Sequence, residues 1–419
     1  MSAVISAPPA PSPASSAVVT LQQDAKVMGL VGLAHASSHF AHMLLSPLFP
    51  LFIIDFGLSF TELGLLTSVF FLVSGVGQSL AGFVVDRIGA RPVLFASFGL
   101  FVLACIVAAT AQGYSGLMAV AVLAGLGNAS FHPVDFTILN QRVSAPRLGY
   151  AFSVHGITGN LGWALASAFF VGMATWTHWR TAYWAAAALM LAVLALLFVH
   201  RDRLSTEVNA RKPLVPGEGK VAAKPESDLA YLKLPVIWWC FGFFMLSTMT
   251  LAVIQTYSAS ILQALYGISL QQAALTVTAY MVSGAVGMLV GGFVAARMAA
   301  ASDHVVAVCM TVGALCLMLC ATGWLGTAAT LMVLAATGFA VGIGGPSRDM
   351  MIKKATPKGA TGRVYGTVYS GLDVGFALSP LLFGALMDKG YFAATLGVAG
   401  LVLLLAVVAA LGVGRRIKA

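Results

Sequence analysis

Twelve stretches of this chain are apolar for long enough to cross a lipid bilayer, and that number leaves few folds open. They fall at about 27–54, 61–85, 92–111, 115–141, 148–173 and 180–200, then at about 234–265, 270–297, 304–323, 327–352, 361–387 and 391–413. A helix needs roughly 20 residues to cross a hydrocarbon core of about 30 Å. Each span must be helical, because backbone groups in lipid have no water to bond and an α-helix satisfies its own. Only 9% of the residues are charged and 59% are apolar, with a mean hydropathy of +0.92. Soluble domains carry about 25% charged residues, so a soluble globular protein is excluded. The 44 glycines suit helices that approach closely in a membrane.

A formal net charge of +9 would suggest nucleic acid in a soluble protein. Here the charges set topology, and no nucleic-acid partner is expected. With the N-terminus in the cytoplasm, all of the 23 Lys and Arg residues except Arg180 and Lys389 fall in or beside cytoplasmic segments, as the positive-inside rule requires. Both termini are therefore expected inside, in a bacterial-type inner membrane. Residues 1–26, rich in Ala, Pro and Ser, lack the basic start and apolar core of a signal peptide and are read as a disordered cytoplasmic tail. Residues 414–419 form a short cytoplasmic tail. The segment 201–233 holds seven Lys/Arg, five Asp/Glu and three prolines. It is read as a linker between two six-helix bundles, 27–200 and 234–413. The five cysteines lie in apolar runs and form no Cys-x-x-Cys pair, so neither a disulfide frame nor a zinc site is indicated.

The two bundles repeat each other. Phe56-Gly57-Leu58-Ser59 recurs as Tyr266-Gly267-Ile268-Ser269, and Gly77, Gly82 and Arg87 match Gly287, Gly292 and Arg297 at the same offset. Further on, Pro133, Gly149 and Gly162 match Pro346, Gly362 and Gly375. Two copies that start on the same side imply a pseudo-two-fold along the membrane normal, the layout of carriers that rock two halves about a central site.

After the second span comes Gly82-Phe-Val-Val-Asp86-Arg87-Ile-Gly89-Ala90-Arg91-Pro92. It resembles the signature loop of the major facilitator superfamily, Gly-x-x-x-Asp-Arg-x-Gly-Arg-Arg/Lys, with Ala90 in place of the first closing Arg. The resemblance covers about 27–413. It implies an all-α membrane protein with twelve transmembrane helices in two pseudo-symmetric six-helix bundles, working by alternating access. Gly89 permits the tight turn. Asp86, Arg87 and Arg91 are the charges of a cytoplasmic latch, facing helix termini, ionic partners or lipid phosphate. Ser38-His39-Phe40, Phe49-Pro50-Leu51 and Gly125-Leu-Gly127-Asn128-Ala-Ser130-Phe131-His132-Pro133 look like segments of bacterial fosmidomycin-resistance exporters, which are drug/proton antiporters. Those exporters carry Asn-Asp where this chain has Ala41-His42. They carry Glu where it has Val134, with Asp135 one place on.

Ionisable residues inside a membrane are costly and are functional candidates by default. His35, His39, His42 and Ser46 share one face of the first helix. Asp373 lies near the middle of the eleventh, at the repeat position of Asn160. His39, His42 and Asp373 are the expected proton-titrating set, with Asp135 and His155 as further candidates. Asn128, Gln255 and Tyr257 are candidate substrate hydrogen-bonders, each weak alone and each better explained by a helix-to-helix bond. Asp135 and Arg348 are repeat equivalents, expected to pair when the cytoplasmic side closes; Arg348 is also a candidate for holding a substrate anion. Histidines at i and i+4 can chelate a metal. With eight histidines in all and no adjacent pair, no metal site and no cofactor are expected.

The function expected is secondary active transport, most simply proton-coupled export of a small organic compound or drug, by a monomer. The alternative is proton-coupled symport of a small organic anion such as a carboxylate or phosphonate. Metal-ion efflux and a membrane enzyme rank lower, since no catalytic cluster is evident. No Gly-x-x-x-x-Gly-Lys-Ser/Thr loop for nucleotide binding is present.

Overall fold

The computed structural model describes residues 20–207, 230–356 and 361–418. Most of the expected tail and linker therefore lies outside the described residues. Within them are twelve helical spans long and apolar enough to cross a membrane. The first six are Leu21–Phe56, Phe60–Ile88, Ala90–Thr110, Tyr114–Arg142, Leu148–Trp176 and Trp179–Val199. The last six are Pro235–Tyr266, Leu270–Arg297, Ser302–Ala321, Thr327–Ala355, Thr361–Asp388 and Phe392–Lys418. Short turns make sequence neighbours antiparallel. One end of the molecule therefore gathers the basic loops, and the opposite end carries Arg180 and Lys389.

The repeated sequence motif is a pair of helix caps. Gly57 and Gly267 end their helices in the left-handed region, at φ 65° and 63°, where only glycine is unstrained. Two residues later Ser59 and Ser269 start the next helices with capping boxes, closed by Glu62 and Gln272. The same device starts the first span. Thr20 caps it with Gln23, so the helix begins at Leu21, inside the segment read as tail. Asp24 is fully buried there. Its carboxylate accepts from the Ser144 amide at 3.2 Å, the Ser144 hydroxyl at 2.5 Å and Arg147 at 2.6 Å, which fixes the helix start to the turn before the fifth span.

Two spans expected as single helices are broken. The first is interrupted between His42 and Phe49, with a 3₁₀ turn at Ser46–Leu48. Pro47 and Pro50 withhold the donors that an α-helix needs. The Leu44 carbonyl accepts instead from the Tyr183 hydroxyl at 2.7 Å. The fourth span breaks at Ala129–Ser130, four and three residues before Pro133, which has no amide to give the Ala129 carbonyl. These irregularities survive at membrane depth because they are enclosed by protein.

Two helix pairs make most of the seam between the halves: the second span with the eleventh, and the fifth with the eighth. The seam is tied at the end opposite the basic loops. There the Asp388 carboxylate accepts from the Phe60 amide at 2.6 Å, the Thr61 amide at 3.0 Å and the Thr61 hydroxyl at 2.5 Å. The Tyr257 hydroxyl lies 2.6 Å from the Pro380 carbonyl and 3.1 Å from that of Phe60. Further in, Phe71 and Phe376 stack across the seam at 4.1 Å.

Candidate functional site

Five of the eight histidines gather in the first half, contributed by three spans. His35, His39 and His42 come from the first, His132 from the fourth and His155 from the fifth. Asp135, fully buried, lies among them. Its Oδ2 is 3.0 Å from His155 Nε2 and 3.1 Å from His35 Nδ1, and the two imidazoles stack at 3.5 Å. His39 follows, 4.4 Å from His35, 4.8 Å from His42 and 4.2 Å from Trp163 between ring centres. Gly159 makes room for this column, since a Cβ there would stand 2.7 Å from the His39 ring.

His42 is held as one neutral tautomer. The Trp163 indole N–H donates to its Nδ1 at 3.2 Å, so that nitrogen carries no proton. Its Nε2–H then donates to Asn128 Oδ1 at 3.0 Å. Asn128 also accepts from Ser38 at 3.0 Å and donates to Ser74 at 2.8 Å. Asn128 is thus a junction of the first, second and fourth spans. Tyr257 is likewise a helix-to-helix bonder. Gln255 is buried with no partner for its Nε2 among the described residues.

A cleft on the basic side is lined by Gln78, Asp86, His132, Pro133 and Phe136, among others. His132 Nδ1 donates to Gln78 Oε1 at 2.8 Å. The latch loop forms the rim of this cleft. Gly82 and Asp86 line it, Arg87 is exposed and Arg91 half-buried, and Gly89 turns the chain at φ 85°. The Ala90 amide donates to Thr206 Oγ1 at 2.9 Å, which lays the start of the linker against this loop.

Arg348 and Asp135 do not meet in this structure. Arg348 Nε bonds Asp349 at 2.9 Å, with 26% of its side chain exposed, and its guanidinium lies 4.9 Å from the Phe244 ring centre. Asp373 lies in the seam. A Cβ built on Gly75 of the second span would be 3.2 Å from its Cβ and 3.6 Å from its Oδ2. Its repeat counterpart Asn160 is also in the seam, donating to Met288 Sδ of the eighth span at 2.9 Å.

The sequence reading passed over His132 and Trp163 as functional side chains. The three-residue spacing of His132 and Asp135 places them on one helix face and could have flagged the first. Nothing in the spacing of Asp135 and His155, on different helices, shows that they touch.

A sequence profile described as Major Facilitator Superfamily matches residues 31–300 and 240–418. The chain belongs to that superfamily: it is a multi-pass membrane transporter and not an enzyme. It is 25% identical over 267 residues to the fosmidomycin resistance protein of Escherichia coli K12, a match spanning 64% of each chain and so just under two thirds of that relative's length. It is 28% identical over 354 residues to the probable nitrate/nitrite transporter NarK2 of Mycobacterium tuberculosis, covering 82% of this chain and 85% of that one. Its fold matches the crystal structure of a bacterial homolog of the human lysosomal transporter Spinster in an inward-facing, unoccupied conformation. That match has a TM-score of 0.68 at 13% identity and covers 95% of this chain and 97% of the other.

Proposed function

We propose that the chain is a proton-coupled carrier of a small organic compound, and that Asp373 is the coupling acid. The observation that carries this reading is the position of Asp373 in the seam, packed against Gly75 of the opposite half. Alternating access must loosen and re-form that seam. An Asp at the centre of a membrane helix costs about 2.5–3.5 kcal/mol on insertion scales, and the neutral acid avoids most of that cost. A seam that re-forms more readily around the protonated carboxyl makes reorientation depend on the proton. His42 does not fill this role in this conformation, because its Nδ1 already accepts the Trp163 proton.

With the basic end in the cytoplasm, the Asp388 end is the closed outer side and the cleft opens inward. The likeness to a fosmidomycin resistance protein supports export as the working direction. Symport of an organic anion is the second reading, favoured by Arg348, which stays partly exposed although Asp349 pairs with it. The test is counterflow in proteoliposomes against phosphonates, carboxylates and lipophilic cations, with and without a pH gradient. The proposal expects at least one substrate whose flux follows the gradient. Flux indifferent to pH for every transported compound would overturn it.

A further inference from the structure

We propose that His35, Asp135 and His155 form a binding site for one first-row divalent cation, with zinc the best match to their chemistry, resident inside the first half. This goes beyond the carrier function and departs from the sequence-based expectation of no metal.

Three spans each supply one donor, and the donor atoms all lie within 4.8 Å of one another. Asp135 Oδ2 is 3.0 Å from His155 Nε2 and 3.1 Å from His35 Nδ1. Ligand atoms bound to tetrahedral zinc at about 2.0–2.1 Å stand about 3.4 Å apart. The two separations from Asp135 Oδ2 come within a few tenths of an ångström of that, and an ion requires the stacked His35 and His155 rings to turn apart so that both lone pairs meet it. The second observation is independent of those distances. Asp135 Oδ1 and His35 Nδ1 are buried without a hydrogen-bond partner among the described residues, as is the neighbouring His39 Nδ1. The approach of His35 to Asp135 is close but too skewed for a hydrogen bond. Buried polar atoms are nearly always partnered, and a carboxylate and an imidazole of this cluster that each keep an unmet atom call for a ligand there.

Two imidazoles and a carboxylate suit zinc and its first-row neighbours. They do not suit calcium or magnesium, which prefer all-oxygen shells. The fourth position falls to water or to His132, whose ring centre is 5.7 Å from that of His35. The bond from His132 Nδ1 to Gln78 is the kind of outer contact that orients a ligating imidazole. A bound ion would neutralise Asp135 and fasten the first, fourth and fifth spans together. That body must move as one when the halves rock.

The test uses full-length protein purified without a histidine tag, stripped with chelator and equilibrated with zinc chloride or cobalt chloride. One zinc per chain is expected, with a visible absorption band on cobalt loading and a zinc-dependent rise in the thermal midpoint. His35→Gln, Asp135→Asn and His155→Gln should each weaken zinc binding by at least about 100-fold, since even outer-shell changes cost 10–100-fold. His304→Gln should bind as wild type. Asp373→Asn should also retain its zinc, because Asp373 lies in the other half; a failure of metal binding is thereby separate from a failure of proton coupling. Wild-type protein that holds no zinc and shows no midpoint shift overturns the proposal. So does stoichiometric zinc that survives in all three folded ligand variants.

Discussion

Asn128 joins three helices, bonding His42 and Ser38 through its oxygen and Ser74 through its nitrogen. Asn128→Ala leaves those buried groups short of a partner, and each orphan costs about 1–3 kcal/mol. A clear drop in the thermal midpoint of detergent-solubilised protein is expected. Gln255 is a buried amide of the opposite kind, with no partner for its Nε2 among the described residues. Gln255→Leu removes an unmet donor and should leave the midpoint level or raise it. Equal losses in both variants would contradict the network. The His35–His39–His42 face was legible from spacing alone, because all three lie on one helix. The contacts of Asp135 with His155, and of His42 with Trp163, were not. They depend on how the fifth span packs beside the first, which no local periodicity encodes.

At the scale of helices, the Asp388 carboxylate at the start of the second span does two things. It satisfies amides that a helix N-terminus leaves unpaired, and it sets a negative charge at the positive end of the helix dipole. Because donor and acceptor belong to different halves, these bonds hold one end of the carrier shut. Hydrogen bonds to charged groups are worth about 1.5–3 kcal/mol, and 1.4 kcal/mol is about tenfold in population. Asp388→Ala should therefore shift the balance toward the state open at that end by about tenfold or more. Spin labels at the exposed positions Ile54 and Tyr391, on opposite halves, should report a larger share of long distances. A distance distribution equal to wild type would show that the cap does not hold the gate. The repeat was legible but its role as a pair of caps was not: Gly-x-Ser recurs in both halves because both need the same left-handed stop and the same restart. The Thr20 cap uses the same chemistry but sits after an Ala/Pro/Ser-rich stretch, which masked it. The breaks at Met43–Leu48 and Ala129–Ser130 were hidden by apolarity, since hydropathy records that a segment crosses lipid and not whether its backbone stays regular.

The described residues form two six-helix bundles that meet mainly along two helix pairs, and this architecture was the most legible level. Crossing a bilayer is a property of one segment at a time, and repetition is visible by aligning the chain with itself. The seam was partly legible. Asp373 and Asn160 stood out as equivalent polar residues in two apolar helices, and the structure places both at the boundary between the halves. As proposed, the link between proton movement and the rocking of those halves is the Asp373 carboxyl. It is tested most directly by recording proton movement driven by a transported compound in proteoliposomes of wild-type and Asp373→Asn protein, alongside counterflow in the same vesicles. Substrate-driven proton flux in wild type is predicted, with loss of that flux in Asp373→Asn while counterflow persists. Undiminished proton flux in Asp373→Asn would contradict the claim.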